Sequence, residues 1–319
     1  MNLRRLALVL AIGLCGAGAQ ADVLSINLGS YQVSGNYALD ALGGMGLEAS
    51  AVTYARDRNS LFFVGDEGLG VVEMSTTGQT LGTMALDWAG TGSSNNDAEG
   101  LTYLGGGQLV VVDERPQIAY RFSYSAGGSV VLNNQPKVAI TGSTANVGNV
   151  GTEGISVDPR DGRFFSVKQD NPAQLRVSTL NFATGFGTAS TTTLFSGASD
   201  LFGVNSLSDV QTLSPIDALA GQSAANNLLI LSLDSRRLLE VDPASGSILS
   251  SLDLTSLTPQ AIEGVTVDET GRIFLVAEDS GTPNSRLFVL TPVPVPAAVW
   301  LFGSAVGGLA LLRRRVGRG

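Results

Sequence analysis

No histidine occurs in the 319 residues of this chain, and cysteine occurs once. Without imidazole there is no Ser-His-Asp or Cys-His triad, no histidine metal ligand and no histidine pH switch. A single cysteine excludes disulfides within the chain and Cys-rich zinc sites. Basic residues are also scarce, 19 Lys+Arg against 28 Asp+Glu. That balance excludes a nucleic-acid binder, which needs a basic face, and suits the binding of hard cations through carboxylates. What the chain does have is 40 glycines and 44% apolar residues, with 15% charged. Such a composition fits tight turns around buried strands, and the length allows one large domain or two ordinary ones.

Two terminal segments stand apart from the rest. Residues 1–21 carry Arg4 and Arg5, an apolar run from Leu6 to Leu14, and a small-x-small site at Ala19-Gln20-Ala21. These are the three parts of a secretory signal peptide, and the run is shorter than the ~20 residues of a spanning helix. Cys15 lies inside it, preceded by Leu14 where a lipoprotein signal wants a small residue, so it is not read as a lipid anchor. Residues 293–319 begin Val-Pro-Val-Pro-Ala-Ala-Val-Trp-Leu-Phe-Gly-Ser, stay apolar to Leu312 and end with Arg313, Arg314, Arg315 and Arg318. The stretch is long enough for one span, with the arginines on the cytoplasmic side. A plain C-terminal anchor would explain the hydrophobicity and the charge, but not the Val-Pro run. That run resembles the PEP-CTERM class of sorting signals in its VPLPA variant, with Val295 where leucine is usual. The resemblance implies recognition by an exosortase, transient membrane anchoring through 293–319, removal of the tail and export from a Gram-negative type of cell. The body, 22–292, keeps 13 of the basic residues and all 28 acids, a net charge of −15.

The body repeats. Five segments share one pattern: Glu48 to Tyr54, Asp97 to Tyr103, Gly151 to Val157, Asp209 to Ser214 and Ala261 to Val267. With Ser50, Glu99, Glu153, Gln211 and Glu263 taken as equivalent, the steps are 49, 54, 58 and 52 residues. A turn follows each start, and then an apolar second strand such as Leu61-Phe-Phe-Val64, Leu109-Val-Val-Val112 or Ile273-Phe-Leu-Val276. Third and fourth strands follow, as in Gly70 to Met74 and Gln79 to Met84. Four strands in a unit of about 50 residues are the signature of a β-propeller blade. The expected fold is therefore an all-β propeller of five four-stranded blades. Six remain an alternative if 23–45 adds a degenerate blade, and the strand Val23 to Leu28 is expected to close the ring.

The repeats also resemble the SdiA-regulated family of bacterial propeller proteins. The residues that carry the resemblance are Asp97-Ala-Glu-Gly-Leu-Thr-Tyr103 with Val112-Asp-Glu-Arg115, Glu153-Gly-Ile-Ser-Val-Asp-Pro159 with Lys168-Gln-Asp-Asn-Pro172, Ser232 to Glu240, and Pro259 to Gly264. They span most of 46–290. Two repeats depart from the pattern: Ala51 stands where glycine is usual, and the fourth has Gln211-Thr212 and an insertion. The resemblance implies a propeller outside the cytoplasm and no settled activity.

First strands of propeller blades line the central channel, so equivalent positions converge on its axis. Glu99, Glu153 and Glu263 would meet there, with Ser50 and Gln211 completing the ring. Converging carboxylates repel unless a cation neutralises them, and oxygen ligands suit Ca²⁺. The competing reading is that each glutamate bonds backbone amides of the next blade as a clasp. A glycine follows in three repeats, for close backbone approach or a positive φ. A second ring lies just past the second strands: Asp66, Glu114, Gln169, Leu233 and Glu278, followed by Glu67, Arg115, Asp170, Asp234 and Asp279. With Lys168 these are candidate ligand-mouth residues, or ordinary turn formers. Two functions compete. One is a secreted, Ca²⁺-stabilised propeller that binds a protein partner or polysaccharide. The other is a Ca²⁺-dependent hydrolase of esterase, lactonase or phosphoesterase type, with Glu99 or Asp113 as base.

Overall fold

The second strand of each repeat sets the architecture. In Leu109-Val-Val-Val112 consecutive side chains point to opposite faces of the sheet, yet all are apolar. Such a strand must be covered on both sides, so the sheets must stack face to face around a ring. A computed structural model describes residues 21–66, 68–93, 96–279 and 284–293 and has this form. The first strand in the chain is β1 (Tyr31–Ala38). Blade one follows with β2 (Ala49–Ala55), β3 (Ser60–Gly65), β4 (Gly70–Met74) and β5 (Thr80–Asp87). Blade two has β6 (Ala98–Gly105), β7 (Gln108–Asp113) and β8 (Ile118–Ser123); the chain then adds β9 (Ser129–Val131) parallel to β5 before β10 (Lys137–Ala139) completes the blade. Blade three is β11 (Thr152–Val157), β12 (Phe164–Lys168), β13 (Gln174–Asn181) and β14 (Thr188–Ser196). Blade four is β15 (Asp209–Thr212), β16 (Leu228–Ser232), β17 (Arg237–Val241) and β18 (Ile248–Asp253). Blade five holds β19 (Ile262–Val267), β20 (Ile273–Ala277) and β21 (Arg286–Pro292), with β1 as its outer strand.

Five blades are present, as expected, and residues 23–45 close the ring instead of forming a sixth. The closing strand is not Val23 to Leu28, however. That stretch is irregular, and β1 does the pairing, antiparallel to β21 from Tyr31↔Pro292 to Ala38↔Arg286. Val23 to Leu28 is held instead by Glu240 of blade four. This fully buried carboxylate accepts from Ser25 Oγ (2.5 Å), the Ile26 amide (3.0 Å), Asn227 Nδ2 (2.8 Å) and Ser250 Oγ (2.8 Å). The segment fails as a strand because its backbone groups are taken by side chains.

The core is divided among the seams between blades. Leu109 and Val111 pack towards blade one with Phe62 and Val64, while Val110 and Val112 pack towards blade three with Ile155 and Phe164. Similar clusters fill the other three seams. The signal peptide and sorting tail lie outside the described residues. Among those residues no helix is long and apolar enough to cross a membrane.

Candidate metal centre

Inner strands β2, β6, β11, β15 and β19 stand around the channel. A ring of hydroxyls links them. Thr53, Thr102 and Ser156 each accept the backbone N–H of the next inner strand, from Tyr103, Val157 and Thr212, all at 3.1 Å. Thr266 accepts from Tyr54 in the same way, at 3.1 Å, which joins blade five to blade one. The remaining step, blade four to blade five, uses a side-chain pair: Thr266 Oγ1 donates to Gln211 Oε1 at 3.0 Å. This clasp is built of Thr, Ser and Gln, while among the described residues Glu153 and Glu263 reach neighbouring blades only through side chains, at Glu114 and Ser50.

Those glutamates sit at a backbone irregularity shared by four blades. The register skips one residue between Ala49 and Ala51, Ala98 and Gly100, Thr152 and Gly154, and Ile262 and Gly264. The skipped residues are Ser50, Glu99, Glu153 and Glu263. A bulge leaves the extra residue unpaired and re-aims its side chain, here into one mouth of the channel. The glycines that follow serve close approach and not a positive φ. A Cβ on Gly154 would lie 2.3 Å from Asp209 Oδ1, and one on Gly264 would lie 2.9 Å from the Ser50 carbonyl.

Blade four begins its inner strand later, at Asp209, with the Ser208 N–H bonded to the Leu231 carbonyl at 2.9 Å, and this corrects the expected ring. Asp209 pairs with Leu231 just as Gly100 pairs with Val112. The residue equivalent to Glu99 is thus Ser208, and Gln211 lies three positions further along the strand, in the clasp at the other end of the channel. Asp209 takes the glycine position and uses its carboxylate as a bracket. Oδ1 accepts the Val210 N–H and Oδ2 the Val265 N–H of blade five, both at 2.7 Å.

The second expected ring is in register. Asp66, Glu114, Gln169 and Glu278 each lie one residue past a second strand, and their N–H groups bond the carbonyls of Glu48, Asp97, Gly151 and Ala261 beside the bulges. The two rings therefore share one mouth. Carboxylate oxygens of Asp66, Asp97 and Glu99 come within 4.8 Å of one another, close enough to share one ion. Asp66 comes from blade one, and Asp97 and Glu99 from blade two. Asp97, absent from the expected ligand set, is almost fully buried and also holds Arg115, whose Nε donates to Oδ2 at 2.7 Å and whose Nη2 reaches Asn149 at 2.8 Å. Glu99 makes no hydrogen bond within the described residues. Its position two residues after Asp97, with the bulge between strand pairs, was the only sequence signal for the pairing.

Electrostatics follow from that crowding. Burial pushes the Glu99 carboxyl well above its usual range, and Glu263, Asp66, Glu114 and Asp97 add to the effect. Burial raises Glu153 strongly, with Glu99 and Glu114 behind it. Glu263 is pushed up to about 8 by burial and then by Glu278, against a hydrogen bond from Ser50. Glu114 rises to about 7 through burial, although the Gly151 N–H donates to its Oε1 at 2.9 Å. Glu153 and Glu263 thus face the same mouth as Glu99, outside its closest trio. Asp113, the other expected base, points elsewhere. It lies fully buried beside Tyr120, takes a 3.3 Å bond from Ser93, leaves Oδ2 unpartnered and is raised to about 7, chiefly by burial. Lys168 is buried and spent on the Asp170 carbonyl; burial and Arg176 lower its pKa.

The comparisons with known proteins agree with this architecture. The SdiA-regulated family matches residues 25–288. Among solved structures, glutaminyl cyclase of Myxococcus xanthus superposes with a TM-score of 0.52 at 14% identity, over 82% of this chain and 95% of that one. A luciferin-regenerating enzyme gives 0.48 at 11% identity, over 82% and 96%. Regucalcin of Agrobacterium tumefaciens, described as a calcium-binding protein, gives 0.44 at 12%, over 78% and 72%. At 14% identity the likeness to the Myxococcus xanthus protein is one of fold.

Proposed function

This chain belongs to the SdiA-regulated family, and from that premise we propose that it is an exported propeller, stabilised by Ca²⁺, that binds a protein partner or polysaccharide at the cell surface. The observation that carries the cation is the trio Asp66, Asp97 and Glu99, with oxygens within 4.8 Å of one another. All are hard oxygen donors, the set Ca²⁺ prefers. A bound ion would neutralise the mouth and tie blade one to blade two. Glu153 and Glu263 would add to the field that attracts it. The sorting tail and signal peptide supply the route: exosortase recognition of 293–319, transient anchoring, then release to the outer surface or medium. In the hydrolase alternative Glu99 would be the base at this mouth, since Asp113 is turned into a seam.

The test is a melting curve of the purified protein with chelator and with millimolar Ca²⁺, alongside a panel of ester, lactone and phosphoester substrates. A rise in melting temperature with Ca²⁺ and no turnover support the proposal. An unchanged melting temperature removes the cation, and turnover lost in Glu99→Gln replaces binding with catalysis. For export, replacing Pro294 and Pro296 with alanine should block tail removal in an exosortase-bearing host, and unchanged removal would count against the sorting reading.

A further inference from the structure

The opposite mouth of the channel has a different chemistry. There the turns between first and second strands surround a cavity of about 860 Å³. All five blades contribute to its wall, which lies beyond the hydroxyl clasp from the acidic mouth. A cavity of this size with a mostly apolar, aromatic lining and a few polar groups fits an organic ligand. Tyr54, Tyr103, Phe164 and Phe182 supply rings, and Leu180 adds an aliphatic surface. They come from three different blades, so the ring-lined wall exists only in the assembled propeller.

Two polar groups in this wall are only partly used by the fold: Arg121 rests on a ring, and Glu269, which interacts with Tyr54, keeps one oxygen open. Arg121, from β8, sets its guanidinium 5.3 Å over the Phe182 ring. Among the described residues it forms no ion pair and its side chain makes no hydrogen bond. This is unusual company in a chain where Arg56, Arg58, Arg115, Arg160, Arg163 and Arg272 all hold carboxylates. Across the cavity, on blade five, Glu269 Oε2 is buried and has no hydrogen-bond partner. A planar guanidinium with free donors beside an aromatic wall matches a carboxylate attached to a ring. A buried acceptor left open matches a hydroxyl or amide N–H on the same molecule.

We propose that this cavity binds a small organic acid, in which a ring or comparable apolar body lies against the aromatic wall and the carboxylate meets Arg121. The site is separate from the acidic mouth and does not depend on Ca²⁺ being bound there. Its wall carries Arg56 and Arg121 against Asp57 and Glu269, with Arg56 already paired to Asp217, so Arg121 is the cation left for an anionic ligand.

The test uses 2-naphthoate and its neutral analogue 2-naphthalenemethanol, titrated calorimetrically against the purified full chain and Arg121→Gln. Wild type should bind the carboxylate saturably, one per chain, and at least about tenfold more tightly than the alcohol, since a charge-assisted hydrogen bond is worth that much. Arg121→Gln should lose that preference while binding the alcohol as before, and Arg121→Lys should keep part of it. The anion preference of wild type is read without any variant, so a poorly folded Arg121→Gln would not shield the proposal. No saturable binding of 2-naphthoate to wild type, equal affinity for the two probes, or an Arg121→Gln protein that retains the preference would overturn it.

Discussion

The two ends of the channel are built from the same five strands and differ in what those strands leave unsatisfied. At the acidic mouth, bulges in four blades turn side chains inward, and three of these are glutamates. At the other mouth blade two alone shows a register shift in its inner strand, between Tyr103 and Gly105, short hydroxyl side chains lock neighbouring strands together, and aromatic rings line the space beyond. One end therefore concentrates electrostatic repulsion among like charges, and the other mixes charges of both signs. Stability should depend on pH and cations at the first and on hydrogen-bond geometry at the second.

The largest effect expected is on the calcium-free protein. Glu263 is raised to about 8 and Glu114 to about 7, with Glu99 and Glu153 raised strongly, so between the unfolded and folded values the folded chain holds more protons. Raising the pH then favours unfolding. Stability should be greatest near the unfolded carboxylate values and fall as the pH climbs to about 8, by something on the order of 5 kcal/mol for the coupled group. Denaturant melts at a series of pH values check this, and a stability that rises over the interval would contradict it. Calcium should restore much of the loss, about 2.7 kcal/mol at a hundred times its dissociation constant. Glu99→Gln should separate repulsion from binding. At high pH it should stabilise the calcium-free protein by about 1–2 kcal/mol, and it should abolish the calcium response. Thr102→Val, at the clasp, should cost about 1 kcal/mol at every pH and leave that response intact. Arg121→Gln, whose guanidinium holds no carboxylate or hydrogen-bond partner among the described residues and only rests on Phe182, should change stability by no more than about 0.5 kcal/mol. Differential scanning calorimetry in calcium and in chelator reads these last three together.

Much of this was legible in the residues because propeller blades repeat. The second strands announce themselves as continuous apolar runs, since each is covered on both faces by neighbouring blades. The glutamate position recurs in Glu99, Glu153 and Glu263 because a bulge must recur wherever the same turn feeds the same strand. Where the repetition lapses, sequence reading lapses with it. In blade four a serine stands where three other blades have glutamate, so Gln211 looked like the fourth ring member although Ser208 holds that place. Asp97 was hidden because it precedes the first strand, which begins at Ala98, and its approach to Asp66 of blade one comes only from the stacking of two blades. The closing strand was displaced from Val23–Leu28 to Tyr31–Ala38 by a tertiary cause, the buried Glu240 and its four donors. The aromatic cavity leaves no local signature at all, because Tyr54, Tyr103 and Phe164 meet only through ring closure.

The most direct measurement is the stoichiometry of Ca²⁺ bound by the purified protein, read by native mass spectrometry after removal of excess metal and repeated with Glu99→Gln. One ion per chain in wild type and none in the variant is the outcome expected from an acidic mouth that holds a cation. A wild-type protein that binds no calcium, or a variant that binds as wild type does, would contradict it.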